Sequence, residues 1–239
     1  MSKRANVRAA ARARSRQLAA QRRRRQTTRW TSVVAATALL IAGVIGVLAW
    51  QADQPDDSAA PTVTTADGLG LPVGDGPVLV EVYLDFLCPA CKQFHDAARP
   101  VLDSYLEQGT ITLVYRPIAI LDRLTSTEFS TRAAAAAGCA AGRGAIDEFV
   151  AAMLASQPPE GSAGLSDAEI VQVAAGAGVT QPGFGECVRA GTYRDWVARA
   201  TDAAADRGVT GTPTVFVNGE RWQLSTVEDL VAVIEAGQG

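Results

Sequence analysis

The run Val78-Leu79-Val80-Glu81-Val82-Tyr83-Leu84-Asp85-Phe86 is rich in β-branched and aromatic residues and predicts a strand. Past residue 91 the period changes. Phe94, Ala97, Ala98, Val101, Leu102 and Tyr105 recur at helical spacing, and Gly109 ends the helix. Ile111 to Arg116 predicts a second strand, stopped by Pro117. From Thr125 to Arg207 every signal is helical. An Ala-rich run at Arg132 to Ala141 is followed by Ile146 to Leu154, and Ser166-Asp167-Ala168-Glu169 is a capping box that opens another helix. Pro182 to Val188 and Tyr193 to Arg207 complete this block, with Gly208 at the stop. Val209 to Val217 predicts a strand, Asn218-Gly219 a hairpin turn, and Glu220 to Leu224 the returning strand. Thr226 to Glu235 closes the chain as an amphipathic helix. The predicted order is β-α-β, a helical block, then α-β-β-α, an α/β domain.

The N-terminal quarter follows a different pattern. Trp30 to Ala52 contains no charged residue, and its aliphatic core from Val33 to Trp50 approaches the roughly 20 residues that span a bilayer. Trp30 and Trp50 bracket it as interfacial aromatics do. Residues 1–29 carry 11 basic residues and no acidic one, leaving 11 basic against 25 acidic over the rest, a net charge of −14. This asymmetry predicts a cytoplasmic leader (1–29), a single transmembrane anchor (30–52) and a catalytic domain outside the cytoplasm. A cleavable signal peptide, cut near Val47-Leu48-Ala49, is the rival reading of the same segment. The Arg22 to Arg25 cluster has no interleaved aromatics to stack bases, so it fits anionic lipid headgroups and topology better than nucleic acid. Residues 53–76, rich in Asp, Pro and Thr, predict a flexible linker, and 77–237 the folded domain.

Cys88-Pro89-Ala90-Cys91 falls where the first strand turns into the first helix. The free N–H groups and positive dipole end of a helix stabilise a thiolate at the first cysteine. Thiolate is the nucleophile of thiol–disulfide exchange, and a second cysteine three residues on can close the ring and release product. Zinc is the competing use of such a pair. It needs four ligands, and the other cysteines, Cys139 and Cys187, stand singly, so even with His95, the only histidine, this site offers three. His95 itself reads as an exposed or partly buried helix residue rather than a catalytic base. No metal or organic cofactor is expected.

C-P-x-C after the first strand, Thr-Pro before a later one, and a helical block between the halves together resemble the DsbA-like branch of the thioredoxin fold. The basic leader and anchor are similar to membrane-tethered actinobacterial members. The resemblance implies that Cys88 is the exposed nucleophile and Cys91 the buried resolving thiol. It makes Thr212-Pro213 the cis-proline loop that pairs with substrate backbone. It also implies reduced exported polypeptides as substrates and reoxidation by a quinone-linked membrane partner of the DsbB or vitamin K epoxide reductase-like kind. The enzyme would act as a monomer that donates disulfides. A reductase or isomerase, and a thioredoxin-like chaperone or binding module, remain the alternatives.

Two departures from the family pattern matter. Ala90 stands where strongly oxidising members carry a histidine, which predicts a mid-range potential. Val82 stands six residues before Cys88, where a buried carboxylate is often found. Glu81 and Asp85 on the other strand face read as strand-edge or surface carboxylates. Cys139 and Cys187 fall within the helical insertion and are expected to form a structural disulfide, with a second redox pair as the alternative.

Overall fold

A computed structural model describes residues 60–223 and 225–238. The basic leader, the anchor segment 30–52 and the first part of the linker lie outside the described residues. Within them, a five-stranded sheet has the order β1-β3-β2-β4-β5. Its strands are β1 (Leu71–Val73), β2 (Val78–Leu84), β3 (Ile111–Pro117), β4 (Thr214–Val217) and β5 (Glu220–Trp222). Only β2 and β3 run parallel, in the register Val78↔Ile111 through Leu84↔Pro117. A parallel pair needs a long crossover, and α1 (Pro89–Glu107) supplies it.

The predicted helical block is five helices: α2 (Phe129–Ala141), α3 (Ile146–Ala155), α4 (Asp167–Gly176), α5 (Phe184–Ala190) and α6 (Arg194–Asp206). Helix α2 is buried from Ala133 through Ala141, so its run of alanines reflects packing on every side rather than a single apolar face. Gly138 marks the closest approach: a Cβ there would stand 2.9 Å from the Tyr193 ring and 3.0 Å from Pro61. The Ser166 capping box opens α4, with both reciprocal hydrogen bonds formed. The closing helix α7 (Val227–Ala236) starts from a second box at Thr226 and Asp229. Asn218 and Gly219 both take positive φ, 48° and 84°, as a two-residue hairpin turn of the primed type requires.

Two boundaries differ from the sequence reading. The segment assigned to the linker, 53–76, contains β1, which pairs antiparallel with β3 from Leu71↔Tyr115 to Val73↔Leu113. Pro61 is buried as well. Glycine and proline around Leu71 and Val73 conceal the strand locally, and only the partner strand reveals it. At the other end, residues 209–213 are loop rather than strand, and β4 begins at Thr214. Among the described residues no helix is long and apolar enough to cross a membrane.

Candidate active site

Helix α1 starts at the C-terminal end of β2, and Cys88 is its N-cap, with Pro89 in the first helical turn. Proline suits that place because its missing N–H would have had no partner there. The Cys88 N–H donates to the Asp85 carbonyl at 3.0 Å, and the Cys88 carbonyl accepts from Cys91 N at 3.0 Å. Both motif cysteines are free thiols. Cys88 is not the exposed thiol the resemblance implies: it is buried, at 7% exposure, as Cys91 is at 2%, while Pro89 and Ala90 between them are exposed.

The loop after α6 completes the site. The Thr212–Pro213 peptide is cis, and the Cys88 thiol donates to the Thr212 carbonyl at 3.1 Å. Pro213 shares a narrow cavity with Cys91. Residues 124 positions apart in sequence are thus in direct contact.

The two sulfurs have opposite acidities. A hydrogen bond from the Cys91 thiol, joined by Thr212 and by the N–H groups of Cys91 and Ala90, outweighs burial and lowers Cys88 to about 6. Burial raises Cys91 far above the ordinary thiol value, and the neighbouring Cys88 raises it further. One turn of helix therefore pairs a readily ionised thiol, which donates to the Thr212 carbonyl while it is protonated, with a thiol that keeps its proton. Such a pair can attack a disulfide, hold a mixed disulfide, and resolve it.

A family profile described as Thioredoxin matches residues 73–236. Oxidised DsbA from Mycobacterium tuberculosis is 32% identical, with a TM-score of 0.63 over 71% of this chain and 93% of that one. Reduced DsbG from the same organism is 32% identical, with a TM-score of 0.64 over 78% and 93%. The chain belongs to the thioredoxin family, in its DsbA-like branch. Among curated proteins, the Na(+)/H(+) antiporter NhaA 3 of Salinispora tropica is 34% identical over 149 residues, 62% of this chain and 21% of the antiporter. The chain spans a third or less of the length of the curated relatives it matches.

In this DsbA-like protein the remaining cysteines are bonded: Cys139 at the end of α2 and Cys187 in α5 form a disulfide with an S–S distance of 2.02 Å and Cα atoms 6.0 Å apart. Two carboxylates depart from the sequence reading. Glu81 and Asp85 are not strand-edge or surface groups; they are 2% and 0% exposed. Helix α6 covers this sheet face. Arg207 from its C-terminal end grips Glu81 through two nitrogens at 2.9 and 2.8 Å, and Arg116 adds a contact of 2.6 Å. Burial opposes ionisation of Glu81, but the two guanidiniums outweigh it and hold the carboxyl below its usual range. Asp85 is held by hydrogen bonds instead. Burial raises it to about 6 against hydrogen bonds from the Ser130 hydroxyl and the N–H groups of Leu87 and Leu121. Alternation along β2 puts Glu81 opposite Val82, Asp85 follows the end of that strand, and the elements packed over them decided their burial.

Gln157 carries no local signal in the sequence. Its side-chain amide donates to the carbonyls of Phe86 and Cys88, at 2.9 Å each. The contact ties the end of α3 to the catalytic loop. Phe86 reinforces the tie by meeting Phe149 edge to face, centroids 5.8 Å apart, and Phe149 meets Phe184 at 5.9 Å. Among the described residues no group of three or more His, Cys, Asp or Glu side chains could hold a metal ion.

Proposed function

We propose that this protein is a thiol–disulfide oxidoreductase that passes the Cys88–Cys91 disulfide to exported polypeptides outside the cytoplasm. The observation that carries the reading is the pairing, in one helical turn, of an acidic Cys88 and a strongly basic Cys91 against the Thr212 carbonyl. A substrate thiolate attacks Cys88 Sγ, a substrate–Cys88 bond forms, and Cys91 leaves as thiolate and takes up a proton. A second substrate thiolate then attacks the substrate sulfur of the mixed disulfide. Cys88 departs readily because a thiol of low pKa is a good leaving group. Thr212-Pro213, beside the nucleophile, is the segment against which an extended substrate would lie.

The apolar segment 30–52 with its basic leader supports a single-pass anchor that leaves the domain on the outer side. Donation of disulfides consumes oxidising equivalents, which a quinone-linked membrane partner of the DsbB or vitamin K epoxide reductase-like kind would return. Ala90 adds no charge to the helix end, so the potential should lie between those of thioredoxin and DsbA, roughly −270 and −120 mV. Equilibration of the protein against glutathione measures it. A value near the thioredoxin limit would overturn donation and favour a reductase fed with electrons. Retention of the cellular role by Cys88→Ala would point instead to a binding module.

A further inference from the structure

Resolution of a mixed disulfide requires Cys91 to lose its proton although it is buried, at 2% exposure. Val82, Cys91, His95, Tyr115, Leu154 and Pro213 line the narrow cavity under the catalytic helix end. His95 is the only histidine of the chain. Residues four apart share one helix face, and a helical side chain lies over the turn N-terminal to its own Cα. Cys91 and His95 accordingly leave α1 on one face, and both line this cavity. Both His95 ring nitrogens are buried, and among the described residues neither has a hydrogen-bond partner. A buried polar group left unpaired in this way calls for a reason.

The charged neighbours are committed elsewhere. Asp96 Oδ1 stands 3.7 Å from Nδ1, beyond hydrogen-bond reach. Arg99 on the same helix pairs with Asp103 and, across to α3, with Asp147. Tyr115, which faces the cavity from β3, donates its hydroxyl to Asp147 at 2.7 Å. Burial keeps the imidazole below its ordinary value, and Arg99 reinforces this against the pull of Asp96 and Asp147. Burial thus favours the neutral imidazole, the form whose ring nitrogen can accept a proton. Asp85, a further buried titratable group close to the motif, has both carboxylate oxygens already accepting hydrogen bonds.

We propose that His95 takes the proton of the Cys91 thiol when Cys91 attacks a mixed disulfide at Cys88, and returns it when Cys91 leaves. The inference rests on the dithiol chemistry set out above. In the step, the Cys91 S–H bond breaks and its proton passes to an imidazole nitrogen. The Cys91–Cys88 bond forms, the bond from Cys88 to the substrate sulfur breaks, and the substrate departs as thiolate with the electron pair. The step becomes feasible once Cys88 is in the mixed disulfide, because its charge no longer holds the Cys91 proton in place and only burial remains to be overcome.

Mixing the reduced full chain with an aromatic disulfide whose released thiolate absorbs visible light separates the two events. A first release reports attack by Cys88, and a second reports resolution by Cys91; Cys91→Ala keeps only the first. His95→Gln and His95→Phe should keep the first phase, which also shows that they fold. Each should slow the second by about a hundredfold near neutrality. The wild-type second phase should also weaken as pH falls through the histidine range, a bend that His95→Gln lacks. A second phase within about twofold of wild type in either folded variant, with the bend intact, overturns the role of His95. Absence of the first phase from the wild-type protein overturns the dithiol reading itself.

Discussion

The two cysteine pairs sit in regions that could hardly differ more. Cys88 and Cys91 are three positions apart, at the open end of a helix, beside backbone donors and a carbonyl from a distant loop. Cys139 and Cys187 are 48 positions apart and join two helices of the insertion, with Arg143 donating to the Cys139 carbonyl at 2.7 Å. A helix N-terminus favours thiolate, whereas a helix C-terminus such as that of α2 presents carbonyls and disfavours it. Reactivity therefore follows from where a sulfur stands relative to oriented peptide groups. One pair is placed to open and close, the other to stay shut.

The sharpest way to break this comparison is to remove one sulfur from each pair. Cys88→Ala should reduce exchange with a reduced peptide substrate to background, and Cys91→Ala should accumulate a mixed disulfide visible by mass. If Cys139→Ala abolished exchange as completely as Cys88→Ala in a protein that remains folded, the distinction would fail. Next in size, the Cys139→Ala/Cys187→Ala double variant should lose about 4 kcal/mol of unfolding free energy in the chain-entropy picture. Its Cys88 titration should still centre on about 6, as read from ultraviolet thiolate absorbance.

A third test separates the regions by pH. The folded value of Asp85 is raised from 3.8 to about 6. The neutral acid thus contributes stability that is complete below the unfolded value and is lost as pH rises through about 6. Urea unfolding at pH values either side of this window should show a loss of about 3 kcal/mol from this group, and Asp85→Asn should flatten it. An unchanged slope in that variant would falsify the assignment. The smallest effect belongs to Gln157→Leu, which leaves the Phe86 and Cys88 carbonyls without this donor. About 1–3 kcal/mol of stability should go with it, along with a modest rise in the Cys88 pKa. A stability loss without that rise would make Gln157 a purely structural clasp.

Much of this architecture is written locally. The change of period at Cys88, the Asn218-Gly219 turn and the Ser166 box each encode their own conformation within a few residues, so the strand–helix junction carrying the nucleophile was legible. Other features exist only through distant partners. Strand β1 has three residues and is defined by its pairing with β3. Burial of Glu81 depends on Arg207, 126 positions away, and Gln157 meets Cys88 across 69. His95 was visible as a residue four after Cys91, but its unpaired nitrogens follow from the packing of Tyr115, Leu154 and Pro213 around it. Period and spacing report the chain's own helices and strands; they say nothing about which face another element will cover.

The sheet's two margins carry a further consequence. Each edge strand is three residues long; β1 includes Pro72, and β5 is exposed throughout, with Glu220 and Arg221 beside Trp222. Short, charged or proline-bearing edges resist recruitment of further strands. Under the proposed function the protein would meet unfolded, thiol-bearing chains and their strand-forming segments continually. Blunted margins would leave such a chain little to grip except the loop at Pro213, so on the proposed function a visiting polypeptide would be steered to the reactive sulfur rather than onto the sheet.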